Sequence, residues 1–372
     1  MSQGKLRNRA EQLLREADIT IGGSRPWDIR VHNDGLYERV LSGGSLALGE
    51  SYMDGWWDCE RLDEFFYRIF TAGLNTRVLT VMDLAHLLKS RIMNLQKKSR
   101  AYEIGERHYD IGNDLYEAML DRRMIYSCGY WKEAKDLDGA QEAKLDLVCR
   151  KLGLAPGMRV LDIGCGWGGM AKFAAEHYGI EAVGITVSRE QVEYAGNLCR
   201  GLAVDIRLQD YRDLDESFDR VMSIGMFEHV GCKNYRTFMK VVRKTLRPGG
   251  LFLLQTIGRN SPVRSGDPWI ERYIFPNSML PSLSQISRAF EGLFVLEDLH
   301  NFSADYDKTL MQWFKRFQMS WDVLKNRYDE RFRRMWSYYL MASAGGFRAR
   351  KNQLWQFVLS PEGVACGYEP VR

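Results

Sequence analysis

The stretch RVLDIGCGWGGM, residues 159–170, decides the fold. It opens with an apolar run, passes through an acid at Asp162, and continues into a glycine-rich turn followed by a helical pattern. A strand, a glycine-rich turn and a helix in this order are typical of the first unit of an open α/β sheet. Glycines at such a turn let the backbone approach a ligand closely, because they carry no Cβ atom. The stretch therefore predicts a binding site at the carboxyl end of a buried strand.

Strands and helices alternate after this stretch. EAVGIT (181–186) predicts a second strand, and a helical pattern begins behind it with Ser188 as the N-cap. The alternation predicts an α/β fold whose parallel sheet is covered by helices on both faces. The further strands are predicted at DIRLQD (205–210), FDRVMSIG (218–225), LFLLQTIG (251–258) and QLWQFVLS (353–360), and the further helices at 235–246, 306–327 and 330–349.

Residues 1–80 predict a small mixed domain ahead of the sheet. It contains a charged helix from Leu6 to Ala17, a short strand at DIRVH (28–32) and an amphipathic helix from Leu62 to Phe70. Nothing in this region predicts chemistry of its own. Its glycines predict turns, at Gly43, Gly44, Gly49 and Gly55.

A basic connector, residues 81–107, follows this small domain. Six Lys or Arg against three Asp or Glu predict a solvated linker helix, the alternative being a helix that contacts a membrane surface or a second subunit. The catalytic domain is then expected to span residues 108–372. Pro and Gly interrupt its alternating pattern at 259–281, which predicts an insertion.

The composition limits the class of protein. The chain has 372 residues, 45% of them hydrophobic and 27% charged, and its net charge is +4. A balance this mild does not indicate a nucleic-acid-binding protein, but it permits weak attraction to an anionic membrane. We expect no bilayer-spanning segment and no signal peptide. Seven scattered cysteines favour reduced thiols in a cytoplasm, and neither they nor the six histidines have the spacing of metal ligands.

The glycine-rich turn could hold one of two cofactors. Gly164, Gly166 and Gly169 match the G-x-G-x-x-G pattern of dinucleotide sites, but nicotinamide binding would favour an acid at the end of the second strand. This chain has Thr186 there. An acid at Asp162 followed by G-C-G-x-G is instead the pattern of methyltransferases that use S-adenosylmethionine. The sequence therefore predicts S-adenosylmethionine as the cofactor.

Several long and unusual strings occur along the chain. They are HYDIGNDLYEAMLD (108–121), YSCGYW (126–131), LDIGCGWGG (161–169), GITVSREQ (184–191), GMFEHVG (225–231), YIFPNSMLPS (273–282) and ADYDKTLMQW (304–313), with the N-terminal string GSLALGESYMDGWW (44–57). Together these strings resemble the cyclopropane fatty acid synthase family of bacterial enzymes, and the resemblance covers essentially the whole chain.

This resemblance implies a Rossmann-like methyltransferase fold with a largely parallel seven-stranded sheet, a small N-terminal domain and helical insertions. It implies an enzyme that adds a methylene group from S-adenosylmethionine across the cis double bond of unsaturated acyl chains in membrane phospholipids. A homodimer attached peripherally to the inner face of the cytoplasmic membrane is also implied. The expected cofactor contacts are Tyr126, Ser127, Val160, Leu161, Asp162, Ile163, Gly164, Cys165, Gly166, Trp167, Gly168, Thr186, Gln191, Asp210 and Tyr211.

The family also binds a bicarbonate ion, which acts as the base. The resemblance places the residues that bind it at Cys128, Glu228, Gln255, Ile257 and Tyr306. Gln255 departs from the family, which has a histidine at this position. Glutamine can still hydrogen-bond an oxyanion, but it cannot carry a charge or transfer a proton. We therefore expect bicarbonate binding to persist in weaker form, with the effect falling on rate and pH dependence.

The reaction explains why an acid stands in MFEHVG, residues 226–231. Methyl transfer to an alkene leaves a carbocation, so water must be excluded, aromatic faces can stabilise the cation, and a base must remove a proton. Glu228 next to bicarbonate requires a shared proton, because two adjacent anions repel. His229 is expected to be structural. The alternatives are a methyltransferase that leaves a methyl branch or methylates a small amine, and a non-catalytic lipid-binding protein.

Overall fold

The computed structural model describes residues 3–77, 112–263 and 265–372. The predicted connector at 81–107 lies outside the described residues. The helices are α1 (Gln3–Glu16), α2 (Leu36–Met53), α3 (Leu62–Thr71), α4 (Leu74–Arg77), α5 (Asn113–Met119), α6 (Leu137–Lys151), α7 (Gly169–Tyr178), α8 (Arg189–Leu198), α9 (Tyr235–Thr245), α10 (Pro268–Tyr273), α11 (Leu283–Phe290), α12 (Ala304–Met319), α13 (Trp321–Leu324) and α14 (Glu330–Arg348). The strands are β1 (Arg30–Val31), β2 (Trp57–Asp58), β3 (Arg159–Ile163), β4 (Glu181–Thr186), β5 (Val204–Leu208), β6 (Phe218–Ile224), β7 (Leu246–Arg259), β8 (Val295–Asn301) and β9 (Asn352–Ser360).

The chain forms two compact units. Within the described residues, the first unit consists of 3–77, 265–276 and 306–352, and the second of 112–263, 277–305 and 353–372. Segments from the later part of the chain thus group with the N-terminal residues. The boundaries 1–80 and 108–372 drawn from the sequence stay a prediction.

The second unit contains a seven-stranded sheet in the order β5-β4-β3-β6-β7-β9-β8. The pairs β3–β4, β4–β5, β3–β6 and β6–β7 are parallel, and β8 pairs antiparallel with β9. The predicted α/β fold with a largely parallel sheet is therefore confirmed. The strand order reverses between β3 and β6, and ligands of open α/β sheets bind at such a reversal, outside the carboxyl ends of the strands.

Two hydrophobic clusters hold this sheet. One contains Val183, Phe218, Phe238 and Phe252, and the other contains Val148, Val160, Phe173 and Leu253. Their central strands read as almost continuous apolar runs, as expected for parallel strands that are buried on both faces. The two clusters fix β3 and β6, and therefore the turns that follow those strands.

The first unit has an aromatic core. Trp57 packs against Tyr52 and Phe65 with ring centroids 5.1 and 5.2 Å apart, and Tyr338 of α14 packs against Phe66 at 4.9 Å. Large rings in such offset and edge-to-face contacts bury much apolar area and add about 0.5–1.5 kcal/mol per pair beyond it. The acid-flanked Trp57 is therefore a core residue of this unit.

The turns predicted at Gly43 and Gly49 are wrong, because both glycines lie inside α2. The helix is kinked at Gly44, whose φ of 57° and ψ of −139° are not helical. Gly49 is required for close packing, since a Cβ atom there would collide with the ring of Trp269. Gly44 therefore allows a bend and Gly49 allows a close contact, and the spacing of these glycines along the chain reveals neither role.

Helix caps follow the sequence more closely. Ser188 caps α8, as predicted, by accepting a hydrogen bond from the Gln191 amide at 3.3 Å. Asp136 caps α6 in the same way, accepting from the Gly139 amide at 2.8 Å. No helix among the described residues combines the length and the hydropathy that crossing a bilayer requires.

Candidate active site

Two turns lie side by side at the carboxyl edge of the sheet. The glycine turn, residues 164–169, follows β3, and the acid turn, residues 226–231, follows the neighbouring β6. Oγ of Ser223 donates to the carbonyl of Ile163 at 3.0 Å and joins the two strands where they end. A Cβ atom on Gly164 would stand 2.7 Å from Cβ of Met226. The motifs that the sequence analysis singled out are therefore direct neighbours.

Three glycines give the glycine turn its backbone shape. Gly164, Gly166 and Gly168 have φ angles of 86°, 55° and 84°, a region in which side chains other than hydrogen are strained. The amides of Gly164 and Cys165 donate to the carbonyl of Ile185 on β4, at 2.9 and 3.1 Å. A Cβ atom on Gly166 would meet no atom within 4 Å, so open space adjoins the turn. This geometry fits close approach of S-adenosylmethionine to the backbone.

Thr186 and Gln191 form one hydrogen-bonded pair at the end of β4. Oγ1 of Thr186 donates to Oε1 of Gln191 at 2.7 Å and accepts from the Ser188 amide at 3.2 Å. Nε2 of Gln191 is buried and has no hydrogen-bond partner in the described part of the chain. A buried donor without a partner is costly, and a hydroxyl group of a bound ribose would satisfy it.

Asp210 is engaged by a neighbouring cation. Its two carboxylate oxygens accept from Nε and Nη2 of Arg212 at 2.8 and 2.7 Å, and Oδ1 also accepts from the Arg212 amide. Tyr211 begins a short 3-10 helix and packs its ring against Phe238 at 5.2 Å. The Asp210 side chain therefore fixes the shape of this turn.

Tyr126 and Ser127 lie on a segment that α6 braces. Nε2 of Gln141 donates to the Ser127 carbonyl at 2.7 Å, and Nζ of Lys144 donates to the Ser127 hydroxyl at 3.1 Å. The Tyr126 ring packs against Tyr116. Sequence reasoning missed both Gln141 and Lys144. The signal that could have found them is their helical spacing among the apolar, inward-facing residues of α6.

Tyr116 links this segment to the glycine turn. Its ring centroid lies 5.2 Å from that of Tyr126 and 4.6 Å from that of Trp167. Nε1 of Trp167 donates to Oδ1 of Asn113 at 2.9 Å. Asn113 and Tyr116 lie on α5, within the string 108–121 that carried the resemblance. Tyr116 of helix α5 therefore packs against both of the predicted cofactor contacts Tyr126 and Trp167.

Glu228 is a buried acid with one free oxygen. Its Oε1 accepts a hydrogen bond from the Ile257 amide at 2.6 Å. Its Oε2 is buried and accepts no hydrogen bond from any residue that the structure describes. Burial raises the pKa of Glu228 to about 7, and the hydrogen bond from Ile257 opposes the rise. The carboxyl group can therefore bind as a proton donor or as an acceptor near neutral pH.

Gln255 lies two residues before Ile257 on β7. It is buried, and its Oε1 accepts from Nε2 of Gln356 on the neighbouring β9 at 2.9 Å. The Gly225 amide donates to the Gln255 carbonyl at 3.0 Å, directly before the acid turn. The second unit therefore brings together Glu228, Gln255 and Ile257.

The remaining predicted bicarbonate residues lie elsewhere in the chain. Cys128 is fully buried on the braced segment, next to Ser127. Tyr306 belongs to the first unit, where its ring packs against Phe347 at 4.5 Å and Trp313 at 6.1 Å.

Burial lowers the pKa of His229 to about 4, so its imidazole is neutral at physiological pH. A neutral imidazole agrees with the structural role expected for His229.

The strand that leads into the glycine turn also contains a buried carboxyl group. Asp162, the fourth residue of β3, is almost fully inaccessible to solvent. Burial raises its pKa to about 7, and the positive charge of Lys144 opposes the rise. The two acids at this edge of the sheet, Asp162 and Glu228, thus both have a pKa near neutral pH.

Comparisons with known proteins identify relatives of this chain. The family model described as mycolic acid cyclopropane synthetase matches residues 96–357. The cyclopropane-fatty-acyl-phospholipid synthase of Escherichia coli strain K12 is 54% identical over 364 residues, which cover 98% of this chain and 95% of that protein. The tuberculostearic acid methyltransferase UfaA1 of Mycobacterium tuberculosis is 32% identical over 358 residues, covering 89% of this chain and 82% of that protein.

A solved structure extends the likeness to three dimensions. The mycolic acid cyclopropane synthase CmaA1, in complex with SAH and CTAB, is 31% identical and superposes with a TM-score of 0.65. The match covers 69% of this chain and 97% of that one. From the family match and the nearly full-length identity to the Escherichia coli enzyme, the chain belongs to the mycolic acid cyclopropane synthetase family of S-adenosylmethionine-dependent methyltransferases.

Proposed function

We propose that this enzyme transfers a methylene group from S-adenosylmethionine to the cis double bond of unsaturated fatty acyl chains in membrane phospholipids. The product is a cyclopropane ring, and bicarbonate held at Glu228 is the base. The near-full-length likeness to an enzyme named cyclopropane-fatty-acyl-phospholipid synthase supports the substrate class. The observation that carries the bicarbonate part is the buried Oε2 of Glu228, which has no partner among the described residues.

The residues at the end of β3 and β4 would hold S-adenosylmethionine. The proposed contacts run from Val160 to Gly168, with Thr186 and Gln191 at the ribose and Tyr126 and Ser127 opposite. The left-handed glycines and the unpartnered Nε2 of Gln191 support this placement. When bound, this co-substrate supplies an electrophilic methyl group. The residues then act by positioning, because an alkene is a weak nucleophile that must be aligned with the methyl group.

Glu228 would hold the base through a shared proton. With its pKa near 7, a protonated Oε2 can donate to an oxyanion, and an ionised Oε2 can accept from a hydroxyl group. Either arrangement satisfies the buried oxygen and avoids two adjacent negative charges. Bound bicarbonate supplies the base that removes a proton from the added methyl group. The Ile257 amide, which donates to Oε1, fixes the direction in which Oε2 points.

Aromatic side chains would stabilise the cation that forms on the acyl chain and keep water away from it. Tyr130 packs edge-to-face against Phe302 at 5.5 Å and against His300 at 5.6 Å, and Tyr126 packs against Tyr116. Rings of this kind exclude water and stabilise a cation by about 0.5–2 kcal/mol each. Without them water would trap the cation as an alcohol, so these rings favour ring closure.

The enzyme's location follows from its proposed substrate. A phospholipid acyl chain lies in a bilayer, so we propose a cytoplasmic protein that associates peripherally with the inner face of the membrane. The mild net charge of +4 is compatible with attraction to anionic lipid. A homodimer is proposed from the family resemblance alone, and two copies would strengthen membrane attachment through avidity.

Mass spectrometry of lipid products tests the proposal. The purified enzyme is incubated with vesicles of mono-unsaturated phospholipid and trideuteromethyl S-adenosylmethionine, with bicarbonate present or removed. We expect cyclopropane acyl chains that retain two of the three deuterium atoms and whose formation rate falls when bicarbonate is removed. Ring closure that is indifferent to bicarbonate would contradict the proposed base. Absence of label from all lipids would contradict the proposed substrate.

A methyl-branching reaction is the second candidate, and Gln255 favours it. Its side chain is uncharged and bonded to Gln356, so it cannot transfer a proton as the family histidine could. The likeness to an enzyme named tuberculostearic acid methyltransferase also supports a methyltransferase outcome as the second candidate. Labelled acyl chains without a ring, in the experiment above, would support this candidate.

A further inference from the structure

Helix α6 carries two buried lysines in different surroundings. Lys144 is 1% exposed and Lys151 is 0% exposed. Burying an ammonium group is costly unless a partner compensates its charge. Nζ of Lys151 lies 3.2 Å from Oδ2 of Asp298, and Arg372 binds the same carboxylate at 2.6 Å. An ion pair away from the glycine and acid turns therefore accounts for Lys151.

Lys144 has no salt bridge of this kind within the described residues, and its Nζ instead contacts Ser127. Its Nζ donates to the Ser127 hydroxyl at 3.1 Å, and Gln141, one turn earlier, donates to the Ser127 carbonyl at 2.7 Å. Two polar side chains on one face of α6 thus hold the same residue. Their burial shows that this contact is built into the core of the unit.

Two buried carboxylates share the charge of Lys144. It interacts electrostatically with Asp121 and Asp162, and also with the thiols of Cys128 and Cys149. Asp121 accepts from the Arg123 and Ile125 amides, both at 2.9 Å, and so fixes the turn that leads to Tyr126. Asp162 adjoins the glycine turn. The lysine therefore acts on both chain segments that are proposed to hold S-adenosylmethionine.

We propose that Lys144 is a positioning residue of the cofactor site, which fixes Ser127 through Nζ and supplies a positive charge that interacts with the Asp162 carboxylate. This inference rests on the proposed assignment of Ser127 and Asp162 to the cofactor site. It assigns Lys144 no contact with the substrate and no role in proton transfer.

The pH dependence of cofactor binding follows from this arrangement. Burial raises the pKa of Asp162 to about 7 even with Lys144 present. Removing the lysine charge raises that pKa further, so Asp162 becomes neutral at pH 7 and regains its charge only at higher pH. The groups that face Lys144 are Asp121, Asp162, Cys128 and Cys149, and burial holds the pKa of Lys144 itself at about 8.

Calorimetric titration with S-adenosylhomocysteine between pH 6 and pH 9 tests the inference. Lys144→Met removes both the donor and the charge, and Lys151→Met is the matched control on the same helix. Asp298 keeps Arg372 when Lys151 is lost, so the control leaves no carboxylate alone. For Lys144→Met we expect the Kd to rise about tenfold at pH 7, which is about 1.4 kcal/mol, and the rise to be smaller at pH 9, where only the loss of the donor to Ser127 remains. For Lys151→Met we expect less than a twofold change.

Lys144→Gln separates the two roles and serves if the methionine variant fails to fold. It retains a donor toward Ser127 without the charge, so it should show the same shift with pH. In an Asp162→Asn background, Lys144→Met should lose the pH-dependent part of its effect. Ligand amino-group titration is common to all variants and cancels in these comparisons.

The failures are distinguishable. If the wild-type enzyme binds no S-adenosylhomocysteine at any pH, the proposed cofactor site is wrong, and this inference with it. If the wild type binds and Lys144→Met matches Lys151→Met, the inference alone is overturned. If Lys144→Met weakens binding equally at every pH, Asp162 does not depend on the lysine charge, and the electrostatic part of the proposal is wrong.

Discussion

The glycine turn and the acid turn are neighbours, yet the sequence specifies them in different ways. The shape of the glycine turn comes from its backbone. Gly164, Gly166 and Gly168 adopt positive φ angles, which glycine reaches without strain, so the local sequence is enough to specify them. In the acid turn a single side chain matters, and its properties come from a strand almost thirty residues away, through the Ile257 amide. The comparison shows that the backbone of the glycine turn is specified locally, whereas the properties of the acid depend on the assembled sheet.

The largest effect is expected at the acid turn. Glu228→Gln keeps the size of the side chain but removes the titrating carboxyl group. We expect the cyclopropanation rate to fall about 10²- to 10⁴-fold, because a positioned base contributes that much and Glu228 is proposed to hold it. The Kd for S-adenosylhomocysteine should change less than about twofold, since the glycine turn is untouched. Product formation by mass spectrometry and calorimetry measure the two quantities.

Glu181→Gln is the control for this variant, because Glu181 is an exposed acid at the amino end of β4, the opposite edge of the sheet. It should leave both quantities unchanged. A Glu228→Gln enzyme with a near-wild-type rate would show that the buried acid does not hold the base. The proposed difference in function between the two turns would then be wrong.

The converse change affects the glycine turn. Gly164→Ala adds a Cβ atom 2.7 Å from that of Met226, at a φ of 86° that alanine rarely adopts. We expect the Kd for S-adenosylhomocysteine to rise about 10- to 100-fold, or about 1.4–2.8 kcal/mol, because the turn must move to relieve the collision. Calorimetric titration measures the change.

Gly157→Ala separates backbone strain from the collision. Gly157 has a similar φ of 80°, but a Cβ atom there would meet nothing within 4 Å, and the residue lies before β3. This variant should lower the thermal stability without changing the affinity for the cofactor. Equal losses of affinity in the two variants would mean that general destabilisation, and not the shape of the turn, weakens binding.

The same contrast limits what sequence could predict. Apolar runs and caps placed β3, β4 and α8 within one or two residues, because these elements obey local rules. The pattern of β8 was missed, since VLEDLHN mixes charged and apolar residues as an edge strand can. Lys144 was missed because a lysine on a helix normally reads as solvent-exposed, and only the packing of α6 buries it.

The family resemblance predicted the role of Glu228, and the structure shows the contacts that give this acid its properties. From the residues alone, Glu228 was one acid beside a histidine, without a partner to define its role. The fold adds the Ile257 amide and a buried oxygen, neither of which the spacing of residues along the chain could reveal. Gln255 likewise acquires its partner, Gln356, from a strand that joins the sheet about a hundred residues later.

The pH dependence of folding stability should reveal the raised pKa of Glu228 without any measurement of activity. The pKa of Glu228 rises from an ordinary 4.5 to about 7 in the folded protein. Between these values the folded state binds more protons than the unfolded state, so this group's contribution to stability falls as pH rises from 4.5 to 7. The loss is about 3 kcal/mol, from 1.36 kcal/mol per pKa unit. Glu228→Gln removes this loss.

Thermal melting of both proteins across this range checks the expectation. Near pH 4.5 the two Tm values should be similar, and above pH 7 Glu228→Gln should melt several degrees higher than the wild type. The Glu181→Gln control should follow the wild type throughout. Parallel curves for wild type and Glu228→Gln would mean that Glu228 titrates like an ordinary exposed acid.

The smallest effect is expected where the acid turn meets β9. Gln255→His introduces the side chain that the family resemblance places at this position. Because position 255 is buried, the charged form of an imidazole there should be disfavoured, so the new side chain should act mainly as a neutral hydrogen-bonding group. We expect the rate to change less than about fivefold, with no new step in the pH profile between 6 and 8. A larger gain, or a new titration in that range, would show that Gln255 limits proton removal and that the acid turn is only part of the base site.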